Sequence, residues 1–135
     1  MKLKNITAAF SQNMVNGQPQ GEPVIVKVFD SIENFKRKIE LLPAYKEIKE
    51  THELFQEERK KIVTDILDKY NKGRKEKVEV VPREKMKEFI DRLDKLTDTE
   101  CTLKTKLKFT QEEIKKSGIK ISEIELIEEF INLAK

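Results

Sequence analysis

Between Tyr45 and Tyr70 the chain places an apolar or aromatic side chain every three or four positions. The series runs Tyr45, Ile48, His52, Phe55, Ile62, Ile66 and Tyr70, with Arg59 filling the remaining place in the pattern. That alternation is one face of an α-helix, and the positions between are crowded with lysine and glutamate. At about 1.5 Å per residue, a helix over residues 44–71 would be about 42 Å long. A rod with one narrow apolar stripe is not stable alone in water, so other helices or a second subunit must cover it. Whatever else the chain folds into is built around this element.

Charged residues make up 39% of the 135 positions, against roughly a quarter in an ordinary soluble domain. Helices that bury one stripe and solvate the rest produce that balance. The length suits a single domain over residues 1–135, with residues 1–22 its least defined part. In that part Asn5 is placed to cap a short helix carrying Ile6, Ala9, Phe10 and Met14, and residues 15–23 read as a loop.

Residues 24–29, Val-Ile-Val-Lys-Val-Phe, are β-branched and short, which predicts a strand. Asp30 and Glu33 have capping-box spacing and predict a helix start, followed by the stripe Ile32, Phe35, Ile39, Leu42. Pro43 lacks an N–H and crowds the preceding turn, so this helix should kink or stop at Leu42. Gly73 is placed to end the long rod. Residues 78–81 predict a second short strand, and Met86, Phe89, Ile90, Leu93 and Leu96 a helix over 83–97. Residues 101–109 alternate strictly, with Cys101, Leu103, Thr105, Leu107 and Phe109 on one side and Thr102, Lys104, Lys106 and Lys108 on the other. They read as the clearest strand. Thr110 with Glu113 and Ser122 with Glu125 are two more capping boxes, the first opening a helix that stops at Gly118, the second a helix reaching Leu133. The expected fold class is α+β: mainly helical, with a long amphipathic helix and a small two- or three-stranded sheet.

Chemistry is sparse. His52, the only histidine, lies on the apolar stripe and so reads as a helix-contact residue. Cys101, the only cysteine, cannot form an internal disulfide, and its alternation aims it inward. The four glycines stand singly, without the spacing of a phosphate-binding loop. Asp91, Asp94 and Asp98 are interleaved with Arg92 and Lys95 and read as a solvated helix edge, not a metal site. The expectation is therefore no catalytic residue, no cofactor and no metal. Without a leader-like start or a long apolar run, a cytoplasmic protein with no membrane contact is expected.

The net charge is only +3, so any polyanion site must be local. Lys69, Lys72, Arg74, Lys75 and Lys77 surround the end of the rod, where cations complement the helix dipole. Lys104, Lys106 and Lys108, continued by Lys115 and Lys116, form the second basic feature. It could track phosphates or an acidic partner, although lysines on a strand also discourage edge pairing.

The chain carries Leu-Pro-Ala-Tyr at 42–45, Phe-Gln-Glu-Glu-Arg-Lys-Lys-Ile at 55–62, Lys-Tyr at 69–70, Val-Pro-Arg-Glu-Lys-Met-Lys-Glu-Phe at 81–89, Leu-Thr-Asp-Thr-Glu at 96–100 and Ile-Ser-Glu-Ile-Glu-Leu-Ile at 121–127. In the order of these motifs it resembles a family of small uncharacterised proteins encoded by phages and prophages of Gram-positive bacteria. Cys101 and the lysines at 104–108 depart from it, and the first thirty residues have no counterpart. The resemblance implies a phage origin and carries no activity or site.

Taken together, the residues favour a non-enzymatic accessory protein acting through protein–protein contact, either an assembly component or a binder of a host protein, with homo-oligomerisation as one form of that contact. Tyr45, Ile48, His52, Phe55, Ile62 and Ile66 are its candidate interface, within the fold or across a dimer seam. A nucleic-acid binder using the lysine face at 104–116 is the second reading.

Overall fold

Asn34 opens the long helix. Its side-chain Oδ1 accepts a hydrogen bond from the Arg37 amide at 3.0 Å, satisfying one of the donors that a helix start leaves unpaired. The computed structural model describes residues 1–15, 18–104 and 106–131. In chain order its elements are α1 (Leu3–Ala9), the hairpin arms β1 (Asn13–Val15) and β2 (Gln18–Gln20), α2 (Val24–Asp30), α3 (Phe35–Asn71), α4 (Met86–Thr97), α5 (Gln111–Ser117) and α6 (Ile121–Ile124). A 3₁₀ turn, Arg83–Lys85, leads into α4, and a 3₁₀ segment, Glu125–Phe130, follows α6.

The expected break at Leu42 does not occur. α3 runs unbroken for 37 residues with Pro43 inside it, about 55 Å at the α-helical rise. Pro43 is exposed, as is Ile39, whose carbonyl loses its usual donor, so water can take the freed acceptor. The helix starts after Asn34 rather than at the Asp30–Glu33 capping box.

The α+β expectation is overturned, because none of the three anticipated strands forms and the fold is mainly helical. Residues 24–29 are the helix α2. Pro23 precedes it, and the helix buries Val24, Ile25, Val28 and Phe29 on one face, whereas a strand would have split them between two. A short apolar run has no period of its own, and packing overrode its β-branched preference. Residues 78–81 stay irregular because a side chain supplies their partner. Asn71 donates to the Val78 carbonyl at 3.0 Å and accepts from the Val78 amide at 2.9 Å.

At 101–109 the alternation is real but the ladder is absent. Leu107 and Phe109 are buried and Lys104, Lys106 and Lys108 exposed, yet backbone pairing is confined to bridges, Lys2 with Glu100 and Phe109 with Ile131. Thr105 lies outside the described residues. The only ladder among the described residues is the β1–β2 hairpin, Asn13 opposite Gln20. Its second arm lies in the stretch read as a loop, while its first takes Met14 out of the expected short helix, which ends at Ala9 and begins after Lys2, not Asn5. The expected last helix is α6 plus the 3₁₀ segment, capped from Lys120, whose amide donates to the Glu123 carboxylate at 2.9 Å. Leu133 lies outside the described residues.

Capping at Thr110 follows the sequence expectation: hydroxyl and Glu113 carboxylate exchange bonds with each other's amides. Gly118, at φ 73°, closes that helix in the left-handed conformation that suits glycine.

One core gathers around the first half of α3. Leu41, Ala44 and Ile48 meet Leu3, Ile6 and Ala9 of α1, the buried face of α2, and Leu107, Phe109, Ile114, Ile127 and Phe130. The second half of α3 leaves that core and pairs with α4. There Ile66 and Phe89 are buried, Arg59 lies over the Phe89 ring, and Arg92 meets Asp65 at 2.7 Å. The molecule is thus a helical head with a two-helix arm, and the arm ends in the loop between Asn71 and Arg83.

Candidate interaction surface

Of the stripe expected to form an interface, within the fold or across a dimer seam, the fold buries two residues and partly covers the other four. Ile48 and Ile66 are each 1% exposed. Tyr45 stacks on Phe29 at 4.1 Å, and Phe55 and Ile62 are half-buried. His52 lies against Phe10 at 4.4 Å and near Phe55 at 6.0 Å, its Nδ1 buried without a hydrogen-bond partner. Burial lowers the His52 pKa from its ordinary value, with Glu53 opposing weakly. A residue in this setting packs as a neutral ring. Ile48 and Ile66 are thus taken up by the fold, while Tyr45, His52, Phe55 and Ile62 keep part of their surface in water.

The apolar surface left over lies elsewhere. Phe35 is 75% exposed and Ile39, one turn on, 52% exposed. They occupy the face of α3 opposite Leu41, Ala44 and Ile48, as the helical period requires. In the sequence they belong to the stripe Ile32–Phe35–Ile39–Leu42. That stripe splits: Ile32 is buried, Leu42 half-buried, and the middle pair faces water. On the arm, Met86 and Ile90 repeat the pattern more weakly, with Val80 in the loop beside them in sequence.

Two residues after Phe35, Arg37 ties α3 to α5. Its Nε donates to Glu113 Oε2 at 2.9 Å, and one Nη2 donates both to Glu113 Oε1 and to the Lys108 carbonyl at 3.0 Å. The Thr110 amide adds a bond to the same carboxylate at 2.9 Å. Burial pushes the Glu113 carboxyl up, but Arg37 and Thr110 outweigh it and hold the group below the ordinary carboxylate value. A cleft of about 810 Å³ opens here, lined by Asn34, Arg37, Thr110, Glu112 and Glu113 among others. Arg37 and Glu113 bind each other across it, so its strongest groups are already engaged in fastening α5 to α3.

The chain matches no protein-family model. No curated protein and no solved structure matches it either. Function therefore has to be read from the surfaces.

All five lysines of the second expected site are exposed, and two of them have partners. Lys108 Nζ donates to the Glu129 carbonyl at 2.6 Å and Lys116 pairs with Glu112 at 3.3 Å. The Lys104 amide donates to Glu47 at 3.0 Å, and Lys106 and Lys115 are exposed. Cys101 is half-buried, with its amide donating to the Met1 carbonyl, and burial pushes its thiol pKa up. His52 and Cys101 thus have separate neighbours. Among the described residues no group of three His, Cys, Asp or Glu is placed to hold a metal ion, and Asp98 is paired with Lys2 at 3.0 Å. No helix among the described residues is long and apolar enough to cross a membrane. Sequence reading missed the Lys27–Glu123 pair, 3.0 Å apart with Glu123 only 5% exposed, because its two halves lie on separate elements with no shared period.

Proposed function

We propose that this chain is a non-catalytic interaction protein of the cytoplasm, an accessory component of phage or prophage origin that works by offering helix surface to another protein. The observation that supports this reading is the Phe35–Ile39 pair. Full burial of such a side chain is worth about 1.5–3 kcal/mol, of which Phe35, at 75% exposed, forfeits most and Ile39, at 52%, about half. A partner that covers them recovers it. The stripe first expected to do so is already partly covered within the fold, and the more exposed pair on the outer face at the start of α3 is the better-supported contact. The motifs at 42–127 are the ground for the phage assignment.

A photo-crosslinking residue at position 35, compared with one at the exposed Glu57 further along the rod, tests the proposal in expressing cells. Crosslinks to one protein, or to a second copy, from position 35 alone are the expected result. F35S/I39S should abolish the corresponding complex, seen by light scattering, while leaving helical content unchanged. Crosslinks equally frequent from both positions, or none from either, would sink it.

A further inference from the structure

The tip of the arm carries a charge that its own structure does not explain. Between Lys69 and Lys87 there are eight lysines and arginines against Glu76, Glu79 and Glu84, while the whole chain is only +3. Two of the eight have partners: Lys69 meets Asp65 at 3.3 Å, and Arg74 lies 4.5 Å from the centre of the Tyr70 ring. One of the three acids is engaged as well, since Glu84 accepts from the Tyr70 hydroxyl at 2.8 Å. Lys72, Lys75, Lys77, Arg83, Lys85 and Lys87 form no ion pair among the described residues.

Helix polarity accounts for only part of this. Cations suit the C-terminal end of α3, where Lys69 and Lys72 sit. Arg83, Lys85 and Lys87 sit at the opposite kind of end, in the turn that opens α4 and in its first turn, where the dipole disfavours positive charge. The loop that displays the rest is also shaped in advance: Gly73 takes φ 78° and the Asn71 side chain clamps Val78 by two hydrogen bonds. Between Lys69 and Lys87, Val80 at 74% and Met86 at 38% are the exposed large apolar side chains, two among eight cations, whereas the centre of a protein interface is depleted of charge. Tyr70, the nearest aromatic ring, is covered by Arg74 and is not open to stack on a base.

We infer that this tip binds the phosphate backbone of nucleic acid without reading its sequence. Two helices side by side span about 20 Å. Duplex DNA carries one backbone charge per about 1.7 Å, so on the order of a dozen phosphates pass beneath such a tip. The inference is independent of the Phe35–Ile39 proposal, which concerns the other end of α3, and either can fail without the other.

Fluorescence anisotropy of the full chain with a labelled mixed-sequence 20-base-pair DNA, and with the same sequence as RNA, tests it. With about five phosphates neutralised, the log–log salt slope should be about −4.5, a roughly 500-fold loss of affinity between 50 and 200 mM salt. K75E/K77E/K87E should remove binding and leave helical content intact, whereas K104E/K106E should leave binding unchanged. K87E alone should weaken binding yet raise thermal stability slightly, because an acid suits the first turn of α4. A purely structural lysine would not show that opposite pair of effects. No binding at 50 mM salt, or binding that survives the triple reversal, overturns the inference. Equal affinity for poly-glutamate would assign the tip to an acidic protein, and equal affinity for phosphatidylserine vesicles to a lipid surface. Either result would also overturn it.

Discussion

The Arg37–Glu113 contact can be dissected by a double-mutant cycle, because its two halves come from different elements. Glu113 is 16% exposed and Arg37 31%, so the pair is partly shielded from water. Removing Arg37 takes two charge-assisted bonds from a carboxylate that keeps only the Thr110 amide, at a cost of about 2 kcal/mol. Removing Glu113 loses the same bonds and half of the Thr110 capping box, about 3 kcal/mol in all. Arg37 has a second acid, Glu40, at 3.8 Å, but that pair is exposed and contributes little. R37A/E113A should therefore cost about 3 kcal/mol, not the sum of the single changes, giving a coupling energy of about 2 kcal/mol. Urea unfolding followed by circular dichroism measures it. With a slope of about 1.5 kcal/mol/M, E113A should lower the midpoint by about 2 M. A coupling energy below about 0.5 kcal/mol would show that the two groups do not fasten α5 to α3, and the reasoning would fail.

Three further outcomes follow from the same structure. I48A should cost about 2–4 kcal/mol, because Ile48 is 1% exposed in the core, whereas F35A should change stability by less than about 0.5 kcal/mol; matched denaturant melts compare them. P43A should stabilise by about 1–2 kcal/mol, since it restores an amide inside an exposed turn of α3, partly offset by a looser unfolded chain; a lower melting temperature would contradict this. Lowering the pH should destabilise in two steps. The His52 pKa is depressed in the fold, so below its ordinary value of 6.5 the unfolded chain binds the proton first and stability falls. Glu113 and Glu123 are also depressed, so their contribution is intact above the ordinary value of 4.5 and is lost as pH falls through their folded values. H52L should remove the first step and spare the second, which stability curves at pH 7, 5.5 and 4 resolve.

What could be read from the chain was what neighbours in sequence decide. The stripe from Tyr45 to Tyr70, the capping box at Thr110 and the ends at Gly73 and Gly118 rest on spacing within one or two turns. For such features the local backbone is both cause and consequence. The burial pattern at 101–109 was legible for the same reason, because alternation fixes which side chains face inward. The candidate site was only half legible. Phe35 and Ile39 announced an apolar face, but spacing does not say which of two stripes on one helix meets the core.

Tertiary structure decided the rest. Val24, Ile25, Val28 and Phe29 became a helix because the core offered them one face to fill, against their β-branched preference. Residues 78–81 stayed irregular because Asn71 took up their backbone groups, and the lysine-bearing segment 101–109 bridges only to the chain's ends, at Lys2–Glu100 and Phe109–Ile131. Pro43 was absorbed because its gap faced water. Helical periods and the Thr110 cap were set locally, by energies that act within a few residues, whereas the boxes at Asp30 and Ser122 gave way to caps at Asn34 and Lys120. Which face is covered, and which charges are left without partners, depends on contacts between residues far apart in the chain, and no local pattern encodes them.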